Sequence, residues 1–277
     1  VKLVGYLLGL LLALGIFGAA GWFAYQIYVK PEKLDREAAI QEAEAPPPTP
    51  PPDYSLPALQ KAVELKKAGQ LAEARQALLD FLAQYPQSTG LADAKNALGE
   101  INTQFVFTSM PAPDKLDYTV VSGDSLVKIA SKTKASAELI LRSNNLATID
   151  LQIGQQLRIP QLDTAIVIDR AAKTLTLLNN GEFFKEYPLL AVQGSPTQTE
   201  IKDKVALHGS ERVAFGDRNW IGSDRWLMLG SANLVIRGLP EPEDGSEPAI
   251  PPGIVVSQED IEEIFPLVGR GTPVSIQ

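Results

Sequence analysis

The sequence predicts a multidomain α+β chain. Three observations carry that reading: an uncharged apolar run near the start, a helical pattern that ends near residue 103, and β-type alternation from about residue 163. With 277 residues, 45% of them hydrophobic, the chain can build more than one small core.

Leu3 to Val29 contains no charged side chain, and it is longer than the ~20 residues that span a bilayer as a helix. Trp22, Tyr25 and Tyr28 gather at one end, as aromatic rings do at a headgroup interface, and Lys30 and Pro31 close the run. Residues 1–30 are therefore expected to form a single-pass transmembrane anchor. A cleaved signal peptide is the competing reading, but its apolar part is normally ~7–15 residues long. Residues 31–53 follow as a linker, charged at first and then "APPPTPPP" from Ala45 to Pro52. Such a run favours extended polyproline II, and at ~3.1 Å per residue it spaces the next domain by ~25 Å.

Residues 54–108 read as helical. Leu59, Val63, Leu71, Ala74, Leu78 and Leu82 recur at helical spacing, with Gly69 and Pro86 as punctuation. The "AGQLAEA" turn and the "YP" that follows resemble a tetratricopeptide repeat, but about one and a half repeats are too few to stack as a solenoid. Residues 56–103 are thus either a partner-binding module or a helical hairpin packed on its neighbours.

Residues 117–161 carry the strongest motif, "YTVVSGDSLVKIASKTKASAELILRSNNLATIDLQIGQQLRIP". A short alternating strand ends in Ser122-Gly123-Asp124, where Asp124 is placed to cap a helix bearing Leu126, Ile129 and Ala130. Ser136 is placed to cap a second helix, Asn144 and Asn145 tolerate the left-handed turn that ends it, and "GQQLRIP" supplies the closing strand. This βααβ unit resembles the LysM family. The resemblance implies binding of peptidoglycan or another N-acetylglucosamine-containing glycan between two loops, here Gly123, Asp124, Ser125 and Leu126, and Asn145, Leu146 and Ile149. On side-chain chemistry alone, Gly123, Asp124 and Asn145 are also ordinary turn and cap residues.

From residue 163 to 277 apolar alternation flanks Asn179-Asn180-Gly181, a hairpin signal. "RWLML" and "NLVIRG" add strands, "SQEDIEEIFPLV" a helix and "TPVSI" a last strand. Over Ala165 to Ile276 this order resembles the L,D-transpeptidase catalytic domain of the YkuD type. That family's chemistry is acyl transfer through a cysteine thiolate with histidine assistance, on an Ile-His-Gly motif and a later Ser-His-Gly-Cys-Ile-Arg motif. Setting the late helices level puts Arg237 at the first His. It also puts Ile250 at Ser, Pro251 at the second His, Pro252 at Gly, Gly253 at Cys, Ile254 at Ile and Val255 at Arg. None of these residues can act as nucleophile or base near neutral pH.

Composition narrows the remaining options. With no cysteine, the chain has no disulfide, thiolate metal site or cysteine nucleophile, and one histidine, His208, leaves little for a zinc centre. A net charge of -8 argues against a nucleic-acid partner. No cofactor is expected. Ser257 with Asp260 reads as a helix cap, His208 as a surface loop residue, and Glu241, Glu243, Asp244 and Glu247 as a solvated acidic tip lacking regular calcium-ligand spacing. Trp220 and Trp226 read as packing residues, with stacking on sugar as the alternative.

The expected function is a membrane-anchored, peptidoglycan-binding envelope protein with a catalytically inactive L,D-transpeptidase-like domain. The alternatives are an active transpeptidase or hydrolase with non-standard residues, and a scaffold that recruits a protein through 56–103. Lys30, Lys33 and Arg36 outnumber Lys2 across the apolar run, which favours a cytoplasmic C-terminus. The glycan module argues the reverse and places the C-terminal domains outside the inner membrane, in the periplasm or cell wall.

Overall fold

The computed structural model describes residues 2–29, 53–112, 114–230, 234–240 and 248–277. Two compact units result, 1–52 and 53–277. The linker expected over 31–53 lies outside the described residues except for Asp53, as do Glu241, Glu243, Asp244 and Glu247 of the acidic tip.

In the first unit, α1 (Lys2–Ala24) continues into a π-helical turn, Tyr25–Val29. Leu11, Leu12, Phe17 and Trp22 are exposed. Among the described residues no helix is long and apolar enough to cross a membrane, so the span expected over 1–30 is not confirmed.

The second unit begins with three helices, α2 (Leu56–Lys67), α3 (Leu71–Gln84) and α4 (Leu91–Val106). Leu59, Ala74 and Leu78 are buried as their spacing predicts, whereas Val63, Leu71 and Leu82 sit at the margin of the cluster. The buried alanines Ala62, Ala74 and Ala94 have little bulk, which lets the helices pack closely around Leu78, Phe81 and Leu98. The Asp53 carboxylate accepts from Ser55 N at 2.9 Å and Thr89 N at 2.8 Å, tying the start of α2 to the turn before α4.

The βααβ unit follows as predicted: β1 (Lys115–Thr119), α5 (Leu126–Thr133), α6 (Ala137–Ser143) and β2 (Gln156–Pro160), with the two strands antiparallel. Ser136 caps α6, its Oγ accepting from Leu139 N at 3.0 Å. Asn145 takes φ 50°, the left-handed conformation expected after this helix. Asn144 does not; its amide instead donates to Ile140 O and Arg158 O and its carbonyl accepts from Arg158 N, lashing α6 to β2.

Among the described residues, the last domain is built on a ten-stranded sheet. Its strands are β3 (Thr164–Asp169), β4 (Thr174–Asn179), β5 (Glu182–Pro188), β6 (Ala191–Val192), β7 (Thr197–His208), β8 (Glu211–Arg212), β9 (Asp224–Leu229), β10 (Val235–Gly238), β11 (Ile254–Val256) and β12 (Pro273–Ile276). The order is β5-β4-β3-β12-β7-β9-β10-β11-β6, with β8 beside β7. The β4–β5 turn places Asn180 at φ 52° and Gly181 at φ 78°, which matches the twist of the flanking strands. Strand β7 pairs with β12 through Thr197 to Glu200 and with β9 beyond, with a register shift between Ile201 and Asp203. One long strand thereby serves both halves of the sheet.

Helix α7 (Gln258–Leu267) buries Ile261, Ile264 and Phe265 in the domain core. Ser257 is its N-cap, accepting from Asp260 N at 3.0 Å, as predicted. The same helix joins the three folded parts. Glu263 accepts from Lys185 Nζ at 2.7 Å and from the Tyr187 hydroxyl at 2.8 Å, and from Thr103 of α4 at 3.2 Å. The Glu262 carbonyl accepts from Arg142 of α6 at 2.7 Å, and the Pro266 carbonyl accepts from Ser136 Oγ at 2.8 Å. On the helical side, the buried Asn102 donates to Phe184 O at 2.8 Å and Lys95 pairs with Glu186 at 2.7 Å. One face of α4 is thus packed against β5.

Candidate functional site

The first candidate region is the pair of loops in the βααβ unit. Val120 N donates to Gln155 O at 2.9 Å and Gly154 N to Val120 O at 2.8 Å, so the loop that starts at Val121 begins beside the end of the loop that precedes β2. Gly123 is exposed at φ 86°. Asp124 does not cap α5; Ser125 does, its Oγ accepting from Lys128 N at 3.3 Å. The Asp124 carboxylate turns back and accepts from Lys132 Nζ (2.7 Å), Tyr118 OH (2.9 Å) and Val121 N (3.0 Å). The Lys132 ammonium, followed by the Val121 amide, holds its pKa down at about 2. It orders the turn.

Leu126 is 2% exposed and belongs to the core of the unit, so its side chain is not offered to a ligand. Leu146 is half-buried against the same core, and Ile149 is exposed, its Cδ1 3.0 Å from where a Cβ on Gly216 would lie. The second loop thus reaches the last domain. An open depression of about 520 Å³ is lined by Leu146, Ala147, Thr148, Asp150, Gln152 and Ile153, with Gly154 and Gln155 at its end. Of the expected site residues only Leu146 lines it; Asn145, Ile149 and Gly123 to Leu126 do not, and it continues instead to Gln155, its most exposed apolar side chain being Ile153 at 74%. The "IGQQL" stretch was the sequence signal for these additional residues.

The second candidate region lies where β10 and β11 run parallel. Arg237 stands opposite Val255 and Ile236 opposite Ile254. Gly253 enters β11 at φ 119°. Both of its backbone polar groups are held by Gln193, whose N donates to Gly253 O at 3.1 Å and whose Oε1 accepts from Gly253 N at 3.3 Å. A Cβ on Gly253 would fall 2.8 Å from Val235 O and 3.0 Å from Val235 Cγ1. Val255 is fully buried, Pro251 half-buried and Ile250 exposed.

The Arg237 guanidinium lies 4.2 Å from the centre of the Trp226 ring, and its Nε is buried without a hydrogen bond among the described residues. Burial lowers its pKa and Asp224 opposes that shift, but a guanidinium remains a cation at neutral pH. Trp226 therefore packs on Arg237. Trp220 packs edge-on to Phe215 at 5.4 Å and carries Arg225 on its face at 3.9 Å. His208 is exposed at the β7–β8 turn. Among the described residues no group of acidic or histidine side chains is arranged to hold a metal ion. Among the described residues, the region around Gly253 offers the Arg237 cation and buried backbone, with the nearby Ser257 hydroxyl engaged as a cap.

Residues 118–160 match the LysM domain family. The chain is 30% identical over 169 residues to YkuD of Bacillus subtilis (strain 168), a protein named as an L,D-transpeptidase, in a match covering 58% of this chain and 98% of the relative. The chain belongs to the YkuD family of L,D-transpeptidases. Solved structures similar to it include an L,D-transpeptidase from Mycobacterium smegmatis at 15% identity and a TM-score of 0.31, matched over 46% of this chain and 64% of that one. Another, from Mycobacterium tuberculosis H37Rv, is 18% identical with a TM-score of 0.31, matched over 47% and 66%. In this YkuD-family chain the βααβ unit is a LysM domain, and helix α7 ties it to the transpeptidase-type domain.

Proposed function

We propose that this chain binds peptidoglycan through its LysM domain and carries a YkuD-type domain that performs no acyl transfer. The observation that carries this reading is the setting of Gly253. The residue aligned with the nucleophile has no side chain, and its positive φ and the nearby Val235 carbonyl oppose adding one. The chain has no thiol anywhere, and Arg237 in place of histidine cannot take a proton from a nucleophile near neutral pH.

For the glycan, Gly123, Asp124, Ser125 and the loop from Asn145 to Ile149, extended to Gln155, form the binding edge. Exposed apolar Ile153 and Ile149 suit the methyl and ring faces of an N-acetyl sugar, and loop backbone suits its amide. The uncharged run Leu3–Val29 supports anchoring in the inner membrane, and the LysM domain supports folded domains outside it. The helical segment 56–103 braces the YkuD-type domain, a role supported by the burial of Asn102 against β5.

Sedimentation of residues 53–277 with purified sacculi, with and without residues 118–160, tests wall binding; equal pelleting of both forms sinks it. Incubation with muropeptides tests inactivity, because new 3-3 cross-links, cleaved stem peptides or an acyl adduct in the mass spectrum contradict it. Alkaline carbonate extraction of membranes tests the anchor, and release of the chain into the supernatant counts against it.

A further inference from the structure

A cavity of about 440 Å³ opens where α4, the segment before β1 and the β4–β5 turn meet, and neither wall binding nor the transpeptidase-type region uses it. Phe105, Val106 and Phe184 give it an apolar floor, and Arg75, Asp114 and Glu182 bring charge of both signs to its lining.

Arg75 is pre-set. Its Nε donates to Asn102 Oδ1 at 2.7 Å, and Asn102, only 3% exposed, spends its amide nitrogen on Phe184 O at 2.8 Å. That second bond fixes which end of the Asn102 amide faces the guanidinium. The terminal nitrogens of the Arg75 fork suit a carboxylate, which such a fork grips in two places. Yet no ion pair within 4 Å joins Arg75 to Asp114 or to Glu182, although all three line one cavity. Opposite charges set across an apolar floor without meeting leave room for a molecule that supplies both counter-charges. The volume lies within the ~300–1,000 Å³ typical of small-ligand sites.

We propose that this cavity binds a short zwitterionic peptide, its carboxylate on Arg75, its ammonium facing Glu182 and Asp114, and its small side chains over Phe105 and Phe184. This goes beyond wall binding and does not depend on it.

The test is isothermal titration of the full chain with L-alanyl-L-alanine, its N-acetyl derivative and its C-terminal amide. Saturable binding of the free dipeptide is expected, weaker by about tenfold or more when either end is blocked, the scale of one charged contact. Arg75→Gln should abolish binding. Because that change also removes a partner of Asn102, Glu182→Gln on the exposed turn is the cleaner variant. It should weaken the free dipeptide but leave the N-acetyl form unchanged. Absence of saturable binding, equal binding of the blocked forms, or unaltered affinity in Glu182→Gln would each overturn the proposal.

Discussion

The Val235 carbonyl oxygen occupies the space that a side chain on Gly253 would need, 2.8 Å from the ideal Cβ position. Because Gly253 also sits at φ 119°, two independent constraints act on one residue. Gly253→Ala is expected to destabilise the chain by about 2–4 kcal/mol, combining backbone strain with local overpacking. Urea denaturation measures this, and a variant as stable as the parent contradicts it. Gly253→Cys alone should not restore acyl transfer, since the thiol would lack both room and a histidine partner.

Asp124 makes the LysM turn sensitive to acid. Its folded pKa of about 2 lies below the ordinary aspartate value of 3.8. The stabilisation is therefore complete above about pH 4 and is lost as pH falls through the folded value, because the unfolded chain binds the proton first. Melting temperatures between pH 5 and 2.5 should fall more steeply for the parent than for Asp124→Asn. Parallel curves would show that the carboxylate contributes nothing.

Lys204 acts at the other end of the pH scale. Its Nζ donates to the Phe265 and Val268 carbonyls and lies 4.3 Å from the centre of the Phe265 ring. Burial lowers its pKa to about 7, partly offset by Glu138 and reinforced by Arg225. From there up to the ordinary lysine value the unfolded chain holds more protons than the folded one, so stability should rise with pH. Tyr187, whose pKa is raised mainly by burial, pulls the opposite way above about pH 10. A stability series from pH 7 to 9.5 therefore leaves the tyrosine out, while Lys115, whose pKa burial also lowers, acts in the same direction as Lys204. Lys204→Met should flatten the rise; an unchanged slope would assign it elsewhere.

Arg225, 2% exposed, reaches Glu262 at 3.2 Å and Glu138 of the LysM domain at 3.8 Å. Burial raises the Glu138 pKa and Arg225 opposes that rise. Removing the guanidinium alone should cost about 3–5 kcal/mol, since it strands a buried carboxylate. Arg225→Met with Glu138→Met should recover much of that loss. Additive effects in the denaturant midpoints would show that the two side chains are not coupled.

Local features were legible in the residues because their causes lie within a few positions of each other. Ser136 and Ser257 were readable as caps, Asn180-Gly181 as a hairpin turn, and the LysM strands and helices from their alternation and spacing. Asp124 was misassigned by one position. A carboxylate and a hydroxyl in adjacent residues can both cap a helix, and here Lys132, Tyr118 and the Val121 amide draw the carboxylate away. The helical segment gained a third packed helix, and its smaller stripe residues moved to the margin, because alanine contacts between helices leave no trace in the apolar period.

By itself the sequence determined that this chain holds no thiol and that a LysM pattern precedes a YkuD-type order of elements. Only the tertiary structure decided that Val235 backs onto Gly253, that Glu262 and Glu263 of one helix hold the LysM and helical parts together, and that Arg75 and Glu182 line one cavity. Each of those arrangements brings together residues apart along the chain. Their positions follow from how sheets and helices pack, which short-range preferences of neighbouring residues do not specify.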